Sequence, residues 1–365
     1  MTLEEKIAFC EGKDFWNTKA VPEEGIESFM LSDGPHGLRK QRDAADMLGL
    51  NDSVPAVCFP TAVSTACSWD EELLGKVGKA IGEEARAEGV TVLLGPGANI
   101  KRDPTCGRNF EYFSEDPYLA GKLAAAYIRG VQSTGTAACL KHFTANSQEY
   151  KRFSSDSIMD ERTLREIYLA AFETAVKEGR PKSLMCAYNK LNGVHCSDNK
   201  ELLTDILRDE WGFEGHFVSD CWAIRDFHDG HHVTDNPVDS AAMAINAGCD
   251  LNCGCTYEKL IAAVMAGKVE ESKIRESAVR LFTTRYMLGI RPEFDRLTVD
   301  PCIPAEWDGF TMDKLFRGKH LHIVVENPEH HEGGVQRLFV NGEEVAPAVL
   351  MDDMLTDQTQ IRAVM

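Results

Sequence analysis

The 365-residue sequence contains no run approaching the roughly 18 consecutive apolar residues that a membrane-spanning helix requires, so no membrane role is expected. Positive charge is scarce: 39 Lys and Arg against 58 Asp and Glu give a formal charge of -19, which repels a nucleic-acid backbone and an anionic membrane surface. The opening MTLEEKIAFCEGKDF has neither the basic start nor the apolar segment of a signal peptide, and the expected location is cytoplasmic. Paired Cys or His motifs at zinc-finger spacing are lacking, so neither a metal nor any other cofactor is expected. Cys249, Cys253 and Cys255 in AGCDLNCGC read as buried thiols at a strand end. The remaining cysteines, among them Cys10, Cys58, Cys67, Cys139 and Cys186, are scattered, several in apolar segments where free thiols pack, and no disulfide framework is expected.

What is present is a soluble-protein composition with 43% hydrophobic residues, enough to build one large core or two medium ones. Through about residue 290, short apolar runs alternate with amphipathic stretches, the pattern of parallel strands joined by crossover helices. The strand candidates are SFMLSDG, VTVLLGPG, AACLKHF, KSLMCAYN, HFVSDCW and the segment ending AGCDL. Ser68 is expected to cap a helix carrying Leu73, Val77, Ala80 and Ile81 on one face, and Asp160 to cap another with Leu164, Ile167 and Ala171. The predicted fold class is α/β, a (β/α)8 TIM-like barrel over residues 1–296. At about Asp295 the character changes, and 297–365 reads as a small β-rich C-terminal segment interrupted by Pro, Asn and Gly turns.

In such a barrel the chemistry collects where strands end, because the loops there form the open mouth of a packed cylinder. Polar residues stand at or shortly after these strands: Asp33 in SDGPHG, Arg108 in GRNFE, Lys141 and His142 in LKHF, Tyr188 in CAYN and Asp220 in VSDCW. A single Asp after a strand is more often a cap or turn former than a reactive group, and Arg108 near Glu111, Glu115 and Asp116 could be an ordinary ion pair. Six polar residues gathered at or shortly after the strands of one barrel nevertheless make a polar pocket, and an Arg fork suits vicinal hydroxyls.

The segments FMLSDGPHGLRK, GRNFEYFSEDPYLAG, LKHFTANSQEYKR, SLMCAYNKLNG and FVSDCWA resemble, in order and spacing, the motif series of glycoside hydrolase family 3, over roughly residues 1 to 293. The resemblance implies a retaining β-glycosidase, foremost a β-glucosidase, acting on a small β-glucoside or oligosaccharide. It places Asp220 as the catalytic nucleophile and Asp33, Arg108, Lys141, His142 and Arg152 among the residues that hold the sugar. Met185 and Tyr188 fall at positions lining that subsite. Cys221 stands where many members carry Trp, which leaves the neighbouring Trp222 as the candidate aromatic wall.

One departure is large. The family resemblance places the general acid/base on a second α/β domain, or on a His after KHF, and the corresponding stretches here are a β-patterned tail and TANSQEYKRFSSDS, which has no His. Glu111, Glu115, Glu149, Glu326, Glu329 and Glu344 are the substitutes in view. The tail segments DPCIPAEWDGF, FRGKHLHIVVENP and VNGEEV resemble the C-terminal β segment of glycoside hydrolase family 94, the cellobiose phosphorylase group. The alternatives are therefore a catalytically impaired sugar-binding barrel, or a glycoside phosphorylase or transglycosylase. An uncovered barrel mouth also favours a homo-oligomer.

Overall fold

The computed structural model describes residues 1–24, 26–42, 51–285, 290–292, 296–301, 303, 305, 307–316, 319–331, 333–346 and 349–365. The expected boundary residue Asp295 lies outside them. The chain divides into two compact units, one of Met1–Val21 and Glu27–Leu281, the other of Pro22–Ile26 and Phe282–Met365.

Five strands of the first unit form one parallel sheet in the order β1 (Met30–Asp33), β2 (Val90–Leu94), β3 (Ala137–Phe143), β4 (Ser183–Cys186) and β5 (His216–Val218). These are the first five strand candidates, and the sheet follows chain order as successive right-handed crossovers require. The sixth candidate contributes single pairings rather than a strand. Leu251 bridges Val218 and Asn252 bridges Glu11, both in parallel, while Gly12 pairs with Thr18 and Asn17 with Met30 in antiparallel fashion. The circuit of pairings returns to β1, and the sheet closes on itself as a TIM-like barrel. The (β/α)8 expectation implies eight barrel strands, whereas among the described residues five regular strands pair in the parallel sheet, and Asp156–Ser157, Lys190–Leu191 and Val194–His195 form a separate three-stranded sheet. The closing arc is a bent hairpin at residues 11–18, whose polar sequence EGKDFWNT carries no strand signature.

The strands are mostly apolar because both faces are covered: all seven residues of β3, Lys141 and His142 among them, and all four of β4 are buried. Helix α1 (Glu71–Ala87) packs on α2 (Pro117–Gln132) at very short range. A Cβ at Gly78 would come within 2.4 Å of the Tyr127 carbonyl oxygen, and one at Gly130 within 2.1 Å of the Gly75 carbonyl oxygen. The buried face of α1 is accordingly Leu74, Gly78, Ile81, Gly82 and Ala85, while Leu73 is 40% exposed. Ile81 is buried as predicted, while Leu73, Val77 and Ala80 give way to the next residue along, Leu74, Gly78 and Ile81. The cap is corrected too: Asp70 accepts the Leu73 amide at 3.0 Å, while Ser68 serves the preceding turn. Asp160 caps its helix as expected, accepting from Thr163 N at 2.7 Å.

The described residues of the second unit are mostly in strands. Strands β6 (Ile290–Pro292), β7 (Arg296–Val299) and β12 (Val349–Met351) form one sheet in the order β12–β7–β6. A second joins β8 (Gly309–Phe316), β9 (Lys319–Glu326), β13 (Gln358–Val364), β10 (Arg337–Val340) and β11 (Glu343–Val345) in that order. Alternation along β9 and β13 buries Leu321, Ile323, Val325, Ile361 and Ala363, which pack with Leu297, Val299, Leu338 and Leu350.

Buried histidines of the first unit set an acid limit on stability. Burial holds His216 down to about 4, and burial together with His231 and Lys190 holds His195 down to about 3. The unfolded chain protonates such groups near 6.5, so it binds more protons than the folded chain between that value and the folded pKa. Their stabilising contribution is present above pH 6.5 and is lost as pH falls toward 4 and 3. Asp198, raised by burial to about 7, acts in the opposite sense and contributes less as pH rises toward 7. Glu11, Asp220 and Asp226, raised by burial, act with Asp198, while His231, held down to about 4, and His36 and His142, also lowered, act with His195 and His216, so five lowered histidines stand against four raised carboxyls. Urea unfolding at pH 5 should show stability lower than at pH 7 by about 2 kcal/mol or more. Equal midpoints would mean that these imidazoles accept protons without leaving the fold.

Candidate active site

Asp33 ends β1, and its Oδ1 accepts from Lys141 Nζ at 2.9 Å. Lys141, 3% exposed, also lies 3.9 Å from Glu111 Oε2. Burial would strip its proton, but Asp33 and Glu111 outweigh burial and raise its pKa. Burial likewise pushes Asp33 up, and the Lys141 ammonium more than reverses that, leaving the carboxyl below its ordinary value. Glu111 pairs in addition with the Arg108 Nε, so one carboxylate that is 4% exposed clamps two cations at the barrel mouth. Sequence reasoning offered Glu111 as a proton donor; in the fold it is a brace.

Arg108 Nη2 lies 3.1 Å from His142 Nε2, and Tyr112 OH lies 3.0 Å from His142 Nδ1. His142 is 2% exposed. Burial first, then the cations Arg108, Lys141 and Arg152, hold its pKa far below the ordinary value, so the ring is neutral. Asn146 Nδ2 donates to Tyr112 OH at 2.9 Å and to Glu149 Oε1 at 3.0 Å, and Glu149 Oε2 accepts from Arg152 at 3.2 Å. Neither Tyr112 nor Asn146 was singled out from the sequence. Both sit inside matched segments, but nothing in their spacing marks them.

Asp220 follows β5 by two residues. Its amide donates to Cys186 Sγ at 3.1 Å, and its Oδ1 accepts the Cys221 amide at 2.8 Å. Its Oδ2 lies 4.0 Å from His142 Nε2, and the side chain keeps 15% of its surface exposed. Burial raises the Asp220 pKa, while Arg108, the Cys221 amide, Arg152 and Lys141 pull it back. Tyr188 donates to the Cys221 carbonyl at 2.6 Å, and the Arg152 guanidinium lies 4.7 Å from the centre of its ring. Asp33, Arg108, Lys141, His142, Arg152, Tyr188 and Asp220 thus form one connected cluster. Met185 is buried in β4 and pairs with Val218. Trp222 turns to Phe15, 6.1 Å away edge-on, and to Arg225.

The expectation of unlinked cysteines is overturned beside Asp220. Cys221 and Cys253 form a disulfide, their Cα atoms 4.6 Å apart across 32 residues of sequence. The physical reason is barrel adjacency: Val218 pairs with Leu251, which brings the loops after them together. Of the AGCDLNCGC group only Cys249 is a buried thiol, Cys255 being exposed, and Cys58 and Cys67 are exposed as well. Among the described residues no cluster of three or more His, Cys, Asp or Glu side chains is arranged to hold a metal ion. None of the described helices is long and apolar enough to cross a membrane. Glu326, Glu329 and Glu344 pair within the second unit, with Arg362, His331 and Arg337.

A carboxylate with one oxygen anchored, set among donors at the mouth of a barrel, is equipped to attack an electrophilic carbon of a polyhydroxylated molecule. Residues 46–284 match the glycosyl hydrolase family 3 N-terminal domain. The tail, drawn toward family 94 by its sequence, matches the glycosyl hydrolase family 65 C-terminal domain over residues 290–346. The thermostable beta-glucosidase B of Acetivibrio thermocellus is 54% identical over 291 residues, 79% of this chain and 37% of that protein. An exo-alpha-(1->6)-L-arabinopyranosidase of Bifidobacterium breve is 46% identical over 281 residues, 76% of this chain and 35% of that protein. Beta-glucosidase 3B of Thermotoga neapolitana, solved with alpha-D-glucose, superposes with a TM-score of 0.69 at 41% identity, covering 78% of this chain and 41% of that one. The chain therefore spans about a third of the length of these curated relatives. Over its barrel, with Asp220 and its cradle at the mouth, this chain belongs to glycosyl hydrolase family 3.

Proposed function

We propose that the chain hydrolyses terminal β-D-glucosyl residues with retention of configuration, residues 1–296 carrying the chemistry. The observation that carries this reading is the cluster joining Asp220 to Asp33, Lys141, Arg108 and His142. Asp220 Oδ1 is held by the Cys221 amide, so Oδ2 attacks the anomeric carbon as the bond to the leaving oxygen breaks. Water then attacks the glycosyl ester and restores the carboxylate. Asp33, Lys141 and Arg108 take the sugar hydroxyls, the acceptor facing hydroxyl hydrogens and the cations facing oxygens. No catalytic step is assigned to the β-rich tail, 297–365.

The test is stereochemical. Proton NMR during hydrolysis of 4-nitrophenyl β-glucoside should show β-glucose before mutarotation, whereas α-glucose as first product would overturn the covalent intermediate. Asp33→Ala should weaken glucose binding by about 2–3 kcal/mol, the loss of a charge-assisted hydrogen bond. Calorimetry giving unchanged affinity would remove Asp33 from contact with the sugar.

A further inference from the structure

The hydrogen-bond chain behind the site has a direction. Glu149 and the guanidinium groups leave no choice at the ends: a carboxylate only accepts and Arg only donates. Asn146 Nδ2 faces Glu149 Oε1 at 3.0 Å, so its amide nitrogen, a donor, is also what meets Tyr112 OH at 2.9 Å. At the other end Arg108 Nη2 meets His142 Nε2 at 3.1 Å. A hydrogen on Nε2 would set donor against donor there. The proton of the neutral ring therefore sits on Nδ1 and is donated to the Tyr112 oxygen, 3.0 Å away. Tyr112 and His142 are 0% and 2% exposed, so water is a poor substitute partner.

The tautomer matters because Asp220 Oδ2 lies 4.0 Å from the same Nε2. With Nε2 protonated, a small ring movement would make an Nε2–H bond to the carboxylate, tying the oxygen that the proposed attack uses. We propose that Tyr112 is a positioning residue: its hydroxyl oxygen holds His142 in the Nδ1–H form, so that Nε2 receives Arg108 and cannot hydrogen-bond the Asp220 carboxylate. The assignment rests on the hydrolase reading for its kinetic consequence and on geometry alone for the tautomer.

The experiment uses the full chain labelled with ¹⁵N-histidine, with the His142 signals identified by their loss in His142→Asn. Long-range proton–nitrogen correlation should show a protonated Nδ1 and an unprotonated Nε2 in the unmodified chain. In Tyr112→Phe, which keeps the ring, the pattern should move toward Nε2–H. On an aryl β-glucoside kcat should fall roughly 10- to 100-fold with KM changed less than about threefold, the mark of an effect on the attack rather than on binding. An Nε2–H pattern in the unmodified chain would overturn the proposal whether or not the variant folds. So would a folded Tyr112→Phe that keeps both the Nδ1–H pattern and its kcat. If the unmodified chain turned over no glycoside, the hydrolase reading would fall, and the nitrogen shifts alone would decide the tautomer assignment.

Discussion

Asp220→Asn should leave a folded chain that binds glucose but turns over an aryl β-glucoside roughly 10⁴-fold more slowly or worse. The amide matches the carboxylate in shape, and its oxygen can still accept the Cys221 amide that now holds Oδ1 at 2.8 Å. What it loses is the negative charge and a nucleophilic oxygen, without which no glycosyl ester forms. The cations around it set the environment: Arg108, Arg152 and Lys141 favour the ionised form of Asp220 against a burial that opposes it. In the variant those cations face a neutral group, so glucose affinity should change far less than turnover. The paired measurement is single-turnover kinetics with glucose calorimetry on the same preparation. Turnover within tenfold of the unmodified chain would remove Asp220 as nucleophile.

The barrel was legible because its strands are continuous apolar runs ending in charge, a pattern that burial on both faces imposes. Asp33, Lys141, His142 and Asp220 were legible for the same reason, each lying at or just past the end of a strand. Four things were not. The barrel is closed by single pairings at Glu11, Asn17 and Asn252, in polar segments that backbone geometry holds without any periodic signal. The buried face of α1 was misplaced because glycines make the contact with α2, and apolar periodicity weighs Leu73 more heavily than Gly78. The Cys221–Cys253 bond depends on adjacency around the barrel, which a separation of 32 residues conceals. Likewise Tyr112 and Asn146 work by hydrogen-bond direction, which follows from their neighbours and not from residue type.

The largest expected contrast between substrates comes from the protonation of the leaving oxygen. Each carboxyl in the cluster is already engaged: Asp33 with Lys141, Glu111 with Arg108 and Lys141, Glu149 with Arg152 and Asn146. The Lys141 ammonium holds Asp33 below its ordinary pKa despite burial, so it carries no proton to give at neutral pH. His142 is neutral, and burial with three neighbouring cations makes its protonated form scarce. Asp220 cannot serve both as attacking group and as acid in the same step. Under the proposed reading the cluster supplies attack and hydroxyl binding, and none of these carboxyls is placed to hold a proton for the departing oxygen. General acid assistance is worth roughly 10² to 10⁴ in rate, and it counts most when the leaving group is a poor one. For the 365-residue chain, kcat/KM on 2,4-dinitrophenyl β-glucoside should exceed that on cellobiose by at least about 10³, with rates falling steeply as the leaving-group pKa rises across a series of aryl glucosides. A flat dependence, with cellobiose cleaved as efficiently as the aryl substrate, would show that a proton donor does reach the glycosidic oxygen, and Glu149→Gln would then be the first variant to ask which carboxyl supplies it.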